Sequence, residues 1–138
     1  MVGKNQLNIF KPSLNPVSRL KAAMRSAIKS GKWSREQIVD RMNEVAAMEG
    51  LSNGRGGRIT VAALDGWMAE TKGNMIPVGL LPLFCWAAES LEPLRILAAC
   101  LEGEVIGEED RRLLEWARLE QESRRLAKRK KKLAEELA

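Results

Sequence analysis

Two short stretches carry the side chains best suited to chemistry, "SREQ" at Ser34–Gln37 and "LSNGRGGRIT" at Leu51–Thr60. Arg35 and Gln37 lie in the first turn of a helix that Ser34 can cap, where a guanidinium and free backbone N–H groups can meet a phosphate. Arg55 and Arg58 sit in a glycine-rich loop directly ahead of Thr60, which heads a short apolar-periodic segment. Lys4 and Lys11, on the N-terminal arm, extend the same positive charge. Cations placed at loops and helix starts suit the gripping of an anionic backbone. As single residues they serve equally well as solubilising charges.

Bond-making chemistry finds little support. The chain contains no His, which removes the commonest general base and metal ligand. A Ser/His or Cys/His nucleophile pair is therefore impossible. The glycine-rich loop lacks the G-x-x-x-x-G-K-[ST] spacing and no strand precedes it, which argues against a nucleotide site. Cys85 and Cys100 stand in apolar segments without a CxxC motif, so buried free thiols are expected; a disulfide between them needs an oxidising compartment. The expectation is a protein that is not an enzyme, with no cofactor, no metal and no small-molecule ligand. No opening apolar stretch resembles a signal peptide and no run approaches a membrane span, so a cytoplasmic location without a membrane partner is expected. The net charge of +5 leans mildly toward an anionic partner.

The elements that must position these residues read as helices throughout. Residues 1–16, with Pro12 and Pro16, form a flexible arm. A first helix starts after Pro16, carries Val17, Leu20, Met24, Ala27 and Ile28 at helical spacing, and stops at Gly31. A second starts at the Ser34–Gln37 capping box and ends near Gly50. A third starts at Thr60 and buries Val61, Leu64, Trp67 and Met68, with Gly66 an internal weakness of roughly 1 kcal/mol. A fourth is the apolar run around Phe84 with Pro82 in its first turn, and a fifth starts near Pro93. From Glu108 onward there is neither Gly nor Pro, and a long charged helix is expected.

The stretches "SREQIVDRM" and "ITVAALDGWMAETKGNMIPVGLLPLFCWAAESL" together resemble the lambda-repressor-like helix-turn-helix family. Ser34, Ile38, Leu64, Trp67, Pro77, Leu81, Phe84, Ala87 and Leu91 occupy the places that carry the resemblance, which covers roughly residues 17–102. A weaker likeness is to regulatory proteins of Mu-like prophages. The resemblance implies an all-α fold: a five-helix domain over residues 17–103 with a long helix 2–helix 3 loop, followed by a charged C-terminal helix over 107–138. It also implies binding to double-stranded DNA, with the third helix in the major groove presenting Thr60, Val61, Ala62 and Asp65.

The sequence departs from the family in two ways. Twelve residues, Met48 to Ile59, stand where the family has a tight turn. The groove-facing residues include no Arg, Asn or Gln for a bidentate base contact, so readout falls to Arg35, Arg55, Arg58 or DNA shape.

The final helix packs seven Lys/Arg into the nine residues 124–132. Leu119, Leu126 and Leu133 recur every seventh residue, and Trp116 opens the partner positions, of which Ser123 and Lys130 are polar. Three roles fit: a solvated helix end, phosphate binding, or dimerisation through Trp116, Leu119, Leu126 and Leu133. The leading expectation is a sequence-specific transcriptional regulator of phage or prophage type. Two alternatives are a packaging or structural adaptor resembling a small terminase subunit, and a helix-turn-helix fold turned to protein–protein interaction.

Overall fold

The computed structural model describes residues 14–52 and 57–138, and every regular element among them is helical. In chain order these are α1 (Val17–Ser30), α2 (Arg35–Glu49), α3 (Val61–Met68), α4 (Leu81–Ala88), α5 (Glu92–Ala99) and α6 (Glu108–Leu137). A single 3-10 turn, Val78–Leu80, leads into α4. The chain divides into two compact units, one reaching Val105 and the other Ile106–Ala138.

Local chemistry sets the helix ends. The Ser34 hydroxyl accepts from the Gln37 backbone N–H at 3.1 Å, and the Gln37 side-chain oxygen Oε1 accepts from the Ser34 N–H at 2.9 Å. This reciprocal pair satisfies two donors that α2 would otherwise leave open. Gly50 ends α2 at φ 69°, a left-handed conformation that costs glycine nothing. The Thr60 hydroxyl accepts from the Ala63 N–H at 3.0 Å and starts α3. Pro82 and Pro93 stand in the first turns of α4 and α5, where a missing N–H breaks no helical bond.

In the first unit α1 packs on α3 and α5, α2 on α3 and α4, and α4 on α5. Met24, Ile38, Met42, Leu64 and Phe84 are fully buried where these faces meet. Cys85 and Cys100 are buried and unpaired, and burial raises the Cys85 thiol above its usual range. A buried, protonated thiol is a packing group rather than a nucleophile.

One buried residue is not apolar. Lys21 of α1 is 1% exposed. Its ammonium lies 2.9 Å from the Trp67 carbonyl, 2.5 Å from that of Asn74 and 3.4 Å from that of Gly66. Three N–H donors thus face three carbonyls. One turn on, Arg25 donates to the Met68 carbonyl at 2.5 Å. Gly66, Trp67 and Met68 are the last residues of α3, whose carbonyls have no partner within the helix. Two cations from α1 therefore close the C-terminal end of α3, where the helix dipole also favours positive charge. Desolvation, with Arg25 adding to it, pushes the Lys21 ammonium below its ordinary pKa.

Truncating that ammonium in Lys21→Met keeps the stem and orphans the carbonyls. We expect a loss of about 3 kcal/mol of stability, readable by chemical denaturation. Because the folded-state pKa of Lys21 is lowered, the unfolded chain binds more protons between that pKa and 10.5. The deficit of Lys21→Met against the native chain should widen as pH rises through that window. Gly66 has a different outlook. A Cβ there would meet Asn74 Nδ2 at 3.5 Å, an ordinary contact, so no close packing requires glycine. Gly66→Ala should stabilise the fold by about 0.5–1 kcal/mol in the same assay.

Candidate nucleic-acid interface

The helices α2 and α3 are joined by the long loop that separates this chain from a tight helix-turn-helix. Asn43, on the middle of α2, reaches across to its far end. The Asn43 side chain donates to the Ile59 carbonyl at 2.8 Å and accepts from the Ile59 N–H at 2.9 Å. Ile59 itself is buried in the core. A side-chain amide thus pairs both backbone polar groups of one residue, as a neighbouring strand would. This pins the entry to α3 whatever path the loop takes. Beside it lies an open cleft of about 730 Å³, lined by Asp40, Asn43, Glu44, Leu51 and Arg58 among others. Two of these are carboxylates from α2, so the cleft wall itself does not favour phosphate.

At the other end of the pair, Arg35 and Asp65 meet. Their side chains form an ion pair at 2.6 Å. Both are substantially solvent-accessible, and the Asp65 hydrogen bond, followed by its charge, raises the Arg35 pKa. Two residues expected to touch DNA separately are thus each other's partner. Arg35 reaches Asp65 rather than standing free at the start of α2, and Asp65 carries a neutralised carboxylate. Pairing lessens the repulsion that a bare carboxylate offers to phosphate.

The remaining expected contacts divide by local role. Gln37 is exposed, with its side-chain oxygen committed to the Ser34 cap. Thr60 is exposed and its hydroxyl oxygen is committed to the start of α3. Ala62 is exposed, whereas Val61 is half-buried and packs on the core. Arg58 is exposed at the loop exit. Lys4, Lys11 and Arg55 lie outside the described residues.

Sequence reasoning missed Lys21, Asn43 and Arg41. The Arg41 guanidinium stacks 4.1 Å from the Trp33 ring centre and 4.6 Å from that of Trp86, and donates to the Ala87 carbonyl at 3.0 Å. It clasps the start of α2 to the end of α4 through two cation–π contacts. Lys21 did leave a signal. It stands directly after Leu20 and before Met24, on the apolar face of α1. Asn43 and Arg41 left none, because each acts on residues remote in sequence.

In the second unit, no residue of α6 is buried. Trp116, Leu119, Leu126 and Leu133 are all at least half exposed. Of the cations in 124–132 only Arg124 has an ion-pair partner among the described residues, Glu120 at 3.8 Å. Among the described residues no group of three His, Cys, Asp or Glu is placed to hold a metal ion, and no helix is long and apolar enough to cross a membrane.

Compared with known proteins, the chain matches no family model, no curated protein and no solved structure.

The Asn43–Ile59 tether is testable alone. Asn43→Ala removes two hydrogen bonds and leaves the backbone N–H and C=O of Ile59 without their partners. It should cost about 1–3 kcal/mol in denaturant titrations. It should also speed amide exchange at Ile59 and in the first turn of α3 more than in α1.

Proposed function

We propose that this chain is a double-stranded DNA-binding protein of the lambda-repressor-like helix-turn-helix type, acting as a transcriptional regulator of phage or prophage kind. The observation that carries the reading is the cationic run of α6. Arg125, Lys128, Arg129, Lys130, Lys131 and Lys132 are exposed and lack carboxylate partners among the described residues. Such a run gains affinity for a polyanion by releasing the counterions condensed on it. Further support is a compact all-helical unit in which a short, doubly capped α3 exposes Ala62 and Thr60 near its start. In this reading α6 supplies most of the affinity. The α3 start and Arg58 supply position and shape preference, with little direct base reading.

The Arg35–Asp65 pair favours a second reading, in which the same helical unit binds a protein. It removes from the α2–α3 face the one cation best placed to read guanine.

One binding experiment separates these readings. A mixed pool of short duplexes is titrated at two salt concentrations with the full chain, with a chain ending at Gly107, and with Asp65→Ala. The proposal expects binding by the full chain with a steep salt dependence. Replacing Arg125, Lys128, Arg129, Lys131 and Lys132 by Gln should lower the slope of log K against log salt by about 4. Asp65→Ala releases Arg35 and should tighten binding a few-fold. Enrichment of a defined sequence by the truncated chain supports a regulator. Absence of binding at low salt overturns the DNA reading in favour of a protein partner.

A further inference from the structure

We propose that α6 is the docking surface for α6 of a second copy of this chain, and that the two helices pair antiparallel. The proposal stands on the pattern of α6 itself and does not depend on DNA being the ligand.

The first observation is the seam. On a helix, Trp116, Leu119, Ser123, Leu126, Lys130, Leu133 and Leu137 follow one another at alternating steps of three and four, which places them on one face. The apolar members are exposed in the single chain, Trp116 by 63% and Leu119 by 59%. A 30-residue helix with no buried residue and a continuous three-four seam, five of whose seven members are apolar, has the form of one half of a coiled coil.

The second observation is charge. The half spanning 108–122 carries six acidic and three basic side chains; the half spanning 123–137 carries seven basic and two acidic. Parallel pairing sets each half against its own kind. Lys130 then faces Lys130 across the seam, Ser123 faces Ser123, and Glu115 flanks Glu120 of the second copy. Antiparallel pairing sets the acidic half of each helix along the basic half of the other.

One antiparallel register also satisfies the seam. It pairs Trp116 with Leu133 of the second copy, Leu119 with Lys130, and Ser123 with Leu126, each contact occurring twice by symmetry. Every layer then contains at least one large apolar side chain, and the polar Ser123 and Lys130 never meet each other or themselves. The Lys130 stem covers Leu119 of the second copy while its ammonium reaches the acidic half. Glu122 flanks Arg129 of the second copy, again twice. Glu115 beside Glu136 is the one like-charge contact among the residues flanking the seam. A shift by one heptad toward the N-terminal ends brings Lys130 against Arg112. A shift the other way leaves Trp116 without a partner. Lys128, Lys131 and Lys132 stay outside the seam in the chosen register, open to an anionic ligand.

The test uses the full chain with p-benzoylphenylalanine in place of Glu115, a flanking position where the substitution removes that like-charge contact. The oligomeric state is read by light scattering, and photo-cross-linked peptides are mapped by mass spectrometry. The proposal expects a dimer whose cross-links join position 115 to the segment around Glu136. Within one helix these positions lie about 31 Å apart, so that link can form only between copies. A monomer overturns the proposal. So does a ring of many copies, or a dimer whose cross-links fall around Glu120. A second variant, Leu126→Glu, places charge in a central layer and should weaken the dimer at least ~10-fold. Leu126 is exposed in the single chain, so thermal unfolding of the first unit should be unchanged. A Leu126→Glu chain that dimerises as before overturns the proposal as well.

Discussion

The buried Lys21 ammonium at the end of α3 is the constraint on which the arrangement of the first unit rests. An eight-residue helix is too short to hold itself together in water, so α3 exists only if its ends are satisfied from outside. Thr60 supplies the first end from within the chain. The last end has no glycine cap, and the turn that follows it, closed from the Lys72 N–H to the Ala69 carbonyl, takes up none of the last three carbonyls of α3. Lys21 and Arg25, one helical turn apart on α1, fill that role by donating to three successive carbonyls and to Asn74 beyond them. A buried cation is ordinarily a liability. Here each of its protons has a carbonyl to meet, and the partial negative charge at the helix end offsets part of the desolvation.

With α3 held by α1 at its end and by Asn43 at its entry, the loop between α2 and α3 is released from positioning work. That explains how the eleven residues 50–60 can stand between α2 and α3 where a tight helix-turn-helix has only a short turn. In a tight turn the backbone dihedrals set where the second helix goes. In this chain the placement comes from side chains on two other helices, Lys21 and Arg25 of α1 and Asn43 of α2, so loop length matters little to α3. The entropy cost of a longer loop grows only slowly with its length. Arg58 stands exposed just ahead of α3.

The helices were legible in the sequence because their signals are local. Ser34 with Gln37, Thr60, Gly31, Gly50 and the two first-turn prolines each act within one turn of the residue that reveals them. The apolar stripes around Met24, Ile38, Leu64 and Phe84 follow from periodicity alone. The interactions that join the helices were not legible, for a shared reason. Asn43 looks like any exposed helix amide until Ile59 is seen beside it. Arg35 and Asp65 stand thirty positions apart and in sequence look like two independent contacts, whereas each is the other's counter-ion. Lys21 has the residue type of a solvent-facing cation, and only its position on the apolar face of α1 argues otherwise. The candidate interface was therefore legible as a set of residues but not as an arrangement.

Charge order in α6 ties its stability as a single helix to its pairing preference. Glu108, Glu109 and Asp110 fill the first turn, where the helix dipole favours acid. Glu108 also pairs with Arg111 at 2.6 Å and Arg112 at 3.5 Å, bracing that turn from within the helix. The cations gather in the second half of the helix, away from that positive end. An order that begins with acid and continues with base gives the isolated helix a charge gradient along its axis. Two such helices laid side by side in the same direction repel along most of their length, and laid head to tail they attract. Features that let α6 form without a core of its own thus also discriminate between the two ways it can acquire one.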